Sequence, residues 1–356
     1  MRSVEEKVGE DKMVFCGIDV HRESMMVATA VGRGEIAYQR YGTTDEEVAR
    51  LAEEVRRLGE EVHAVYEASG EGFRLSDSLE EEGFRVTVVA PTEVERSVRH
   101  RRRKTDKEDA RRLVKLVRSA VLAGGDLPAV WVPDKELRDE REIVRRRLQL
   151  GEELTRTKNR IHGLLRRWGV RRPKEIRTLW TEKHVAWLRE LVGTLEEWAS
   201  RTLASLLRQV EFLFEERDRL DADLSELAAR PRYKGQVAKA QTVPGVGELT
   251  AMVFLTEMGD PQRFRNRREV GSWMGLTPRS YESGEATDRK GHISRLGPAR
   301  VRKVLNQAAW ALVRTSERAG RWFAYHTAGR NKGRKTMIVA LMRKMGILLW
   351  HQALAA

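Results

Sequence analysis

The apolar run Met13–Val20 has the sequence Met-Val-Phe-Cys-Gly-Ile-Asp-Val and contains one charged residue, Asp19. A run of this kind predicts a buried strand with an acid near its end. A second apolar run covers residues 24–31, and Gly-Arg-Gly at 32–34 predicts a hairpin turn into a third strand at 35–41. We therefore expect three antiparallel strands at the start of the fold.

After these strands, the pattern changes to an alternation of helices and strands. Thr44 and Glu47 form a capping box at the start of a helix. The apolar stripe of that helix consists of Val48, Leu51, Val55 and Leu58. Further segments are predicted at 62–68 (strand), 72–82 (helix), 85–90 (strand) and after Pro91 (helix). This order of elements is that of the α/β ribonuclease H fold.

Two acids lie at the ends of strands that this fold places side by side. Asp19 is near the end of the first strand, and Glu67 follows the apolar run at 62–66. In a ribonuclease H fold the first and fourth strands are neighbours at the centre of the sheet, so both acids would be exposed at one edge. Either acid alone would be an ordinary strand-end residue, and a site requires further acids nearby.

A block of positive charge at 101–104 is followed directly by a segment with two aspartates, Asp106 and Asp109. If Thr105 is the N-cap of the next helix, the two aspartates lie on one face of its first turn. With the two strand-end acids they would form a four-carboxylate cluster that can hold two Mg²⁺ or Mn²⁺ ions for in-line phosphoryl transfer. The alternative is that acids in a first helical turn only stabilise the helix dipole.

The same fold also occurs in ATPases of the actin and heat-shock chaperone type. Those enzymes need glycines after the first-strand aspartate to hold phosphates. In this chain Val20, His21 and Arg22 follow that aspartate. We therefore rank ATP hydrolysis low among the possible activities.

The charge of the chain indicates its partner. The 356 residues contain 67 Lys and Arg against 53 Asp and Glu, a net charge of +14 with a pI of about 10.0. This excess favours a polyanion, and nucleic acid is the leading candidate. No apolar run approaches the length of a membrane span, residues 1–12 lack a signal-peptide core, and the single cysteine, Cys16, excludes internal disulfides. We expect a cytoplasmic protein without membrane contact.

Long, charged helices are predicted for the middle of the chain. One series at seven-residue spacing consists of Leu154, Ile161 and Trp168. A second series consists of Leu206, Leu213, Leu220 and Leu227, with Leu203, Val210 and Leu224 on the adjoining seam. The spacing predicts a coiled coil, within the chain or between chains, and leaves its orientation open. Its first arm has more positive charge than solubility requires, so we expect it to follow the phosphate backbone of DNA or RNA.

The C-terminal part contains a candidate hairpin and a candidate nucleophile. A Val-Pro-Gly-Val-Gly motif is typical of a helix-hairpin-helix element, in which Gly245 and Gly247 would let backbone N–H groups approach a phosphate. A plain tight turn would have the same spacing. A long polar loop at 277–297 contains Ser294 among cations, and loops of this length are uncommon unless functional. By local chemistry alone, Ser294 is more often a turn or capping serine.

These patterns give a set of predicted contacts and a domain plan. The predicted nucleic-acid contacts are Arg101, Arg102, Arg103, Lys104, Arg145, Arg156, Lys158, Arg160, Arg166, Arg167, Gly245, Gly247, Arg289, Lys290 and Arg295. The plan is a flexible N-terminus at 1–12, the α/β domain at 13–130, coiled-coil helices at 131–235 and a mostly α-helical domain at 236–356.

Five motifs occur in the order found in one family of enzymes. They are Gly-Ile-Asp-Val-His at 17–21, Tyr-Glu-Ala-Ser-Gly at 66–70, Lys-Thr-Asp-Lys-Glu-Asp-Ala at 104–110, Val-Pro-Gly-Val-Gly at 243–247 and Gly-His-Ile-Ser-Arg-Leu-Gly at 291–297. By these motifs nearly the whole chain resembles the DEDD transposases of bacterial insertion sequences, in the family numbered one hundred and ten. The last motif departs from the commoner Gly-Ile-Ser-Lys-Arg-Gly form at Arg295 and Leu296, while Ser294 stays in register.

The resemblance implies a RuvC-like N-terminal domain, a central coiled coil and a C-terminal transposase domain with a catalytic serine. It implies that Asp19, Glu67, Asp106 and Asp109 bind Mg²⁺ or Mn²⁺ and that Ser294 is the nucleophile. It also implies a recombinase that excises and inserts its element through circular DNA, guided by a structured bridge RNA. The acids of one protomer would meet the serine of another, so a dimer or tetramer is expected.

Two alternatives stay open at this point. A junction-resolving nuclease that only hydrolyses strands would need the four acids but not Ser294. A basic coiled-coil scaffold that binds nucleic acid without chemistry would need neither.

Overall fold

The computed structural model of the protein describes residues 9–91, 105–280, 290–328 and 333–356. The chain divides into two compact units, Met1–Val132 and Pro133–Ala356. Several predictions fall wholly or partly outside the described residues: most of the N-terminus at 1–12, the helix after Pro91, and the side chains of Arg101, Arg102, Arg103, Lys104 and Arg289. Within the N-terminal segment, Glu10–Lys12 forms a single 3-10 turn.

A five-stranded mixed sheet forms the centre of the first unit. Its strands are β1 (Met13–Val20), β2 (Ser24–Val31), β3 (Ala37–Gly42), β4 (Glu61–Glu67) and β5 (Arg85–Val89). Their order in the sheet is β3-β2-β1-β4-β5, with β1 antiparallel to β2 and parallel to β4. The predicted strands and the central pair of first and fourth strands are therefore confirmed, in agreement with a ribonuclease H-like sheet.

In the described part of this unit, three helices cover the sheet, namely α1 (Asp45–Arg56), α2 (Arg74–Glu81) and α3 (Asp106–Ala123). Alternate residues of β1 supply two cores, because successive side chains of a strand point to opposite faces. Cys16 packs on one face with Leu51 of α1 and Leu79 of α2. Phe15 packs on the other face with Leu113 of α3.

The start of α1 agrees with the predicted cap, and its end does not agree with the predicted stripe. The Thr44 hydroxyl accepts a hydrogen bond from the Glu47 N–H, as the capping box requires. Leu58 was expected on the apolar stripe, but α1 ends at Arg56 and the Leu58 side chain is exposed. That prediction is wrong because the helical spacing does not extend past the end of the helix.

Nine helices and a small sheet make up the described residues of the second unit. The helices are α4 (Lys135–Arg167), α5 (Glu182–Leu191), α6 (Glu197–Ala229), α7 (Pro231–Gln241), α8 (Glu248–Met258), α9 (Arg267–Trp273), α10 (Ala299–Thr315), α11 (Glu317–Thr327) and α12 (Arg334–Leu354). Strands β6 (Pro278–Ser280) and β7 (Lys290–Ile293) pair antiparallel. Among the described residues, none of the helices has the length and apolar character needed to cross a membrane.

Helices α4 and α6 form an antiparallel pair within the chain. Arg147 of α4 donates a hydrogen bond to Asp221 at 2.6 Å, whereas Lys158, further along α4, lies over the ring of Phe214, which precedes Asp221 in α6. Leu213 of α6 is buried in the core that this pair shares. Of the leucine seam predicted to pair within or between chains, Leu213, Leu220 and Leu227 are therefore buried within one chain and Leu206 is partly buried.

The first heptad series is shorter than predicted. Leu154 and Ile161 are buried in the core of the helix pair. Trp168 is the C-cap residue of α4 and is 47% exposed. Its prediction as a core position is wrong because α4 ends at Arg167 and the backbone turns at Gly169, whose φ is +64°.

The predicted helix-hairpin-helix segment does join two helices, α7 and α8. Gly245 has a φ of +88°, and a Cβ added there would lie 2.6 Å from the Ala308 carbonyl oxygen of α10. The requirement for glycine at this position therefore comes from packing inside the protein. Gly247, the N-cap of α8, has open space around its Cα, so of the two glycines it is the one open to a backbone contact with phosphate.

Candidate active site

The sheet register places Asp19 and Glu67 together. Ile18 is the parallel partner of Tyr66, so the next residue in each strand is Asp19 and Glu67, respectively. Both acids follow the alternation of the face that carries Phe15 and Val65, the face covered by α3. The two strand-end acids therefore share one face and one edge of the sheet.

A close contact between β1 and α3 brings the second pair of acids to this edge. A Cβ added at Gly17 would lie 2.2 Å from the Val114 nitrogen and 2.4 Å from the Ala110 carbonyl oxygen. Only glycine lets the α3 backbone lie this close to the strand. The Thr105 hydroxyl caps α3 by accepting from the Glu108 N–H at 3.3 Å, as predicted. The first turn of α3, with Asp106 and Asp109, therefore starts beside the end of β1.

Asp19, His21 and Asp106 come together at this edge. His21 Nε2 lies 3.2 Å from Asp19 Oδ2 and 3.4 Å from Asp106 Oδ1. One ligand atom from each of the three residues lies within 4.8 Å of the other two. Two carboxylates and one imidazole in this arrangement can hold a divalent cation.

Two arginines bind the acids of the cluster. Arg40 Nη2 lies 2.9 Å from Asp106 Oδ2. Arg112 forms an ion pair with Glu67, and its other terminal nitrogen lies 3.7 Å from Asp109 Oδ1. The acids thus form two neighbouring groups: Asp106 has His21 and Arg40 as partners, and Arg112 bridges Glu67 and Asp109.

These contacts affect the ionisation of Asp106. Partial desolvation raises the pKa of its carboxyl group, but the charge and hydrogen bonds of His21 and Arg40 outweigh that effect and hold the pKa below its ordinary value. An ionised carboxylate is the form that binds a metal cation. Asp106 is therefore kept in the metal-binding form near neutral pH.

Sequence reasoning missed His21, Arg40 and Arg112 as residues of this site. His21 lies two residues after Asp19, and Arg112 lies three residues after Asp109 on the same helix, so local spacing contained a signal for both. Arg40 belongs to β3 and reaches Asp106 across the sheet. The sequence had no local signal for that contact.

Ser294 lies in the second unit, directly after β7. Its N–H donates to the Thr277 carbonyl at 2.8 Å, and its own carbonyl accepts from Arg279 at 3.1 Å. The N-cap of the following helix, α10, is Pro298, and no side chain caps it, so Ser294 is not the cap of that helix. The segment 277–297, predicted as one loop, contains strands β6 and β7, whose pairing fixes the backbone immediately before this serine.

Arginines also surround the backbone around Ser294. Arg302 of α10 donates to the carbonyls of Met274 at 3.2 Å and Gly297 at 2.9 Å. Burial, and then the nearby charge of Arg295, lower the pKa of Arg302. Arg279 and Arg302 were not among the predicted site residues, because their contacts depend on strand pairing and on α10. Arg295, which was predicted, is exposed and has a φ of +56°.

The side chains of α4 that were predicted to contact nucleic acid lie in different surroundings. Arg145 is paired with Glu257 at 3.1 Å, and the Lys158 ammonium lies between the rings of Trp180 and Phe214, at 4.9 and 4.6 Å from their centroids. These two side chains are engaged inside the protein and are poor phosphate contacts. The other predicted contacts on this helix, Arg156, Arg160, Arg166 and Arg167, are exposed. Lys290 belongs to β7, and its side chain lies outside the described part of the structure.

A ribonuclease H-like sheet with acids at the ends of its central strands defines a class of metal-dependent enzymes that transfer phosphoryl groups. Comparison with known proteins identifies the family within this class of enzymes. A family model described as "Transposase IS116/IS110/IS902 family" matches residues 237–324, and a model of DEDD transposases of the IS110 type matches residues 16–169.

Full-length relatives agree with these matches. A protein of Sinorhizobium fredii described as a transposase, y4rJ, is 30% identical, and the match covers 95% of this chain and 91% of that protein. The transposase for insertion sequence element IS1533 of Leptospira borgpetersenii is 26% identical over 95% of both chains. The transposase for IS1111A of Coxiella burnetii is 24% identical over 94% of this chain and 88% of its own. The chain belongs to the IS116/IS110/IS902 family of transposases.

Family membership makes this protein an enzyme that cleaves and recombines DNA, and it excludes the non-enzymatic scaffold. It also indicates the use of a divalent metal, for which the cluster of Asp19, His21 and Asp106 has suitable donors.

Proposed function

We propose that this transposase cleaves DNA with Asp19, Glu67, Asp106 and Asp109 as its metal-binding acids and with Ser294 as its nucleophile. One observation supports the acid assignment above others. The register of β1 and β4 and the contact of α3 with Gly17 direct two pairs of acids, distant in sequence, to one edge of the sheet.

In the proposed site, the four carboxylates hold Mg²⁺ or Mn²⁺. His21 is a further donor, and an imidazole ligand suits Mn²⁺ better than Mg²⁺. When bound, the metal would stabilise the negative charge on the reacting phosphate oxygens. Arg40 and Arg112 pair with the acids in the structure, and in the proposed site these two guanidinium groups would bind the phosphates of the strand once the carboxylates hold a metal.

The proposed role of Ser294 is to conserve the energy of the cleaved bond. Its Oγ attacks the phosphorus, the Oγ–P bond forms, and one P–O bond to the leaving strand breaks. The hydroxyl proton goes to a base, and the leaving oxygen takes up a proton. The reverse attack by a strand hydroxyl restores a phosphodiester and the free serine. Strands can then be rejoined without ATP, whereas hydrolysis would lose that energy.

The remaining parts of the proposal concern partners and assembly. A bridge RNA guides the choice of DNA, and a dimer or tetramer brings the acids of one protomer to Ser294 of another. The net charge of +14 supports the nucleic-acid partners. The exposed arginines Arg156, Arg160, Arg166 and Arg167 on α4 support an extended phosphate contact. The proposed domains cover residues 1–12, 13–130, 131–235 and 236–356.

Neutralising an acid tests the metal site. Asp19→Asn is expected to abolish cleavage of element-end DNA, in Mg²⁺ and in Mn²⁺, while DNA binding is kept or improved because a repulsive charge is removed. Glu46→Gln on α1, an exposed acid, is the matched control and should cleave normally. Full cleavage by the Asp19→Asn protein would remove this cluster from the active site.

A further inference from the structure

An open pocket of about 560 Å³ lies at the end of the helix pair, formed by the end of α4, the segment that follows it, and α5. Its volume is within the range of about 300–1,000 Å³ that is usual for sites that bind small molecules. The residues of its wall that matter here are His162, Arg166, Arg171, Arg172, His184 and Trp187.

The wall of the pocket is positively charged. Three arginines line it, and of the described residues that line it none is acidic. Burial, and then the charge of Arg172, lower the pKa of His162, another residue of this wall. By contrast, the cavity beside α4 that includes Asp139, Arg145 and Asp223 is lined by both signs of charge. We call the cavity at the end of the helix pair the tip pocket. Its positive charge makes it suited to an anion.

Aromatic rings form the other part of the wall. The rings of His184 and Trp187 are 5.6 Å apart between centroids and inclined at 37°. His162 lies 6.4 Å from His184 at a similar inclination of 31°. His184, which is almost fully buried, accepts a hydrogen bond at Nδ1 from the Trp180 N–H at 3.1 Å. The structure thus holds three flat side chains side by side next to the arginines.

The backbone at Trp180 indicates that this arrangement is constrained. Trp180 has a φ of +65°, an unfavourable conformation for a bulky residue. Its ring meets His184 edge to face at 5.2 Å and lies over the Lys158 ammonium. A strained backbone persists only where the surrounding structure stabilises it. Residues of this kind cluster at active sites and ligand sites.

We propose that the tip pocket binds an unpaired nucleotide of a folded nucleic acid. The partly exposed rings of His162 and Trp187 would stack on the base, and Arg166, Arg171 and Arg172 would bind the adjoining phosphates. A duplex presents stacked bases that cannot enter a concave site, whereas a loop or bulge presents a free base. The pocket would therefore recognise an unpaired position of a nucleic acid. This contact would add to the phosphate contacts proposed along α4. The proposal rests on the nucleic-acid partners proposed above and is independent of the acids and of Ser294.

Binding to matched hairpins tests this proposal with the full-length protein. Fluorescence anisotropy would compare an RNA hairpin with a single-stranded loop, the DNA hairpin of the same sequence, and duplexes of equal length without the loop. The Trp187→Leu variant, which keeps an apolar side chain, should bind the hairpins about tenfold more weakly and the duplexes normally, and Trp187→Phe should keep most of the affinity. The hairpin that loses affinity identifies whether the loop is RNA or DNA.

Two charge-reversal variants provide a second test that leaves the hydrophobic core of the protein unchanged. Arg171 in the pocket and Arg314 on α10 are both exposed, so Arg171→Glu and Arg314→Glu change the net charge equally. We expect only Arg171→Glu to reduce hairpin binding more than duplex binding. A photoreactive halogenated uridine in the loop should cross-link within residues 162–187. Equal losses for the two arginine variants, or cross-links outside that segment, would overturn the proposal. Cleavage of element-end DNA by the unsubstituted protein would separate such a failure from a failure of the proposed chemistry, because it tests the acids and Ser294 and not the pocket.

Discussion

Arg112 lies between Glu67 and Asp109, and in the proposed site its charge would compete with a metal for the same two carboxylates. Arg112→Ala should therefore bind Mn²⁺ severalfold more tightly in the absence of DNA, as measured by titration calorimetry, because a metal no longer displaces a cation. Without metal, the same variant should unfold at a lower temperature, because two neighbouring carboxylates then repel each other.

The matched control for Arg112 is Arg85, the first residue of β5, which lies beside the start of β4. Arg85 forms an ion pair with Glu61 at 2.7 Å and has no contact with the acid cluster. Arg85→Ala should leave Mn²⁺ affinity unchanged. Unchanged or weaker Mn²⁺ binding by Arg112→Ala would show that this arginine supports the site and does not compete for it.

His184 is a buried imidazole that should make stability depend on pH. Burial, and then the charges of His162 and Arg172, lower its pKa below the ordinary 6.5. As the pH falls through about 6.5, the unfolded chain takes up a proton that folded His184 does not, so stability present above this pH is lost below it, at up to about 1.4 kcal/mol per pH unit. Urea unfolding at about pH 7.5 and pH 5.5 would measure the loss.

The His184→Asn variant separates the effect of histidine titration on stability from the effect of side-chain packing. In His184→Asn the side-chain oxygen can still accept from the Trp180 N–H, but the group no longer titrates. The difference in unfolding free energy between the two pH values should be smaller than in the wild type. An equal difference in both proteins would assign the pH dependence to other groups.

At the residue scale, the sequence predicted the acids better than their partners. Asp19 and Glu67 end recognisable strands, and Thr105 is a recognisable cap, so their positions follow from local patterns. Arg40 depends on the pairing of β3 with β2, a contact between distant segments. The surroundings of Ser294 were missed for the same reason, because Arg302 reaches the serine loop from α10.

At the element scale, the contact between β1 and α3 determines where the acids meet. In Gly17→Ala the new Cβ would collide with backbone atoms of Val114 and Ala110, which cannot move without a shift of the whole helix. We expect a loss of roughly 1–3 kcal/mol of stability. Displacement of Asp106 and Asp109 should slow cleavage about a hundredfold, measured on a nicking substrate.

Gly70→Ala is the control for this substitution, since a Cβ at Gly70 would have no atom within 4 Å. It should leave both stability and cleavage unchanged. Normal cleavage by the Gly17→Ala protein would mean that the position of α3 against β1 is not critical for the acids.

Element boundaries were predicted well where the hydrophobic pattern was strong. The bounds of β1 and β2 agree with the apolar runs, because buried strands select for continuous hydrophobic sequence. Leu58 and Trp168 were placed on helices that end before them, because an apolar residue at the right spacing looks the same inside a helix and just past its end. Strands β6 and β7 were missed because they are short and polar.

At the scale of the whole molecule, the leucine seam stabilises the fold of one chain. Leu213 is 4% exposed in the pair formed by α4 and α6, so Leu213→Ala should cost about 2–5 kcal/mol. Because the contact is intramolecular, that cost should not change with protein concentration. Phe212, the 57% exposed neighbour, is the control, and Phe212→Ala should change stability by no more than about 0.5 kcal/mol. A cost for Leu213→Ala that falls on dilution would indicate a seam between chains.

The central claim is that Ser294 forms a covalent bond to DNA in a reaction that needs the acids of the sheet edge. The most direct measurement is a denaturing gel of the protein trapped on a nicked target, followed by peptide mapping of the adduct. We predict an adduct on Ser294 that is absent in Ser294→Ala and in Asp19→Asn and is kept in the exposed control Ser272→Ala. An adduct on another residue, or strand joining by Ser294→Ala, would contradict the account.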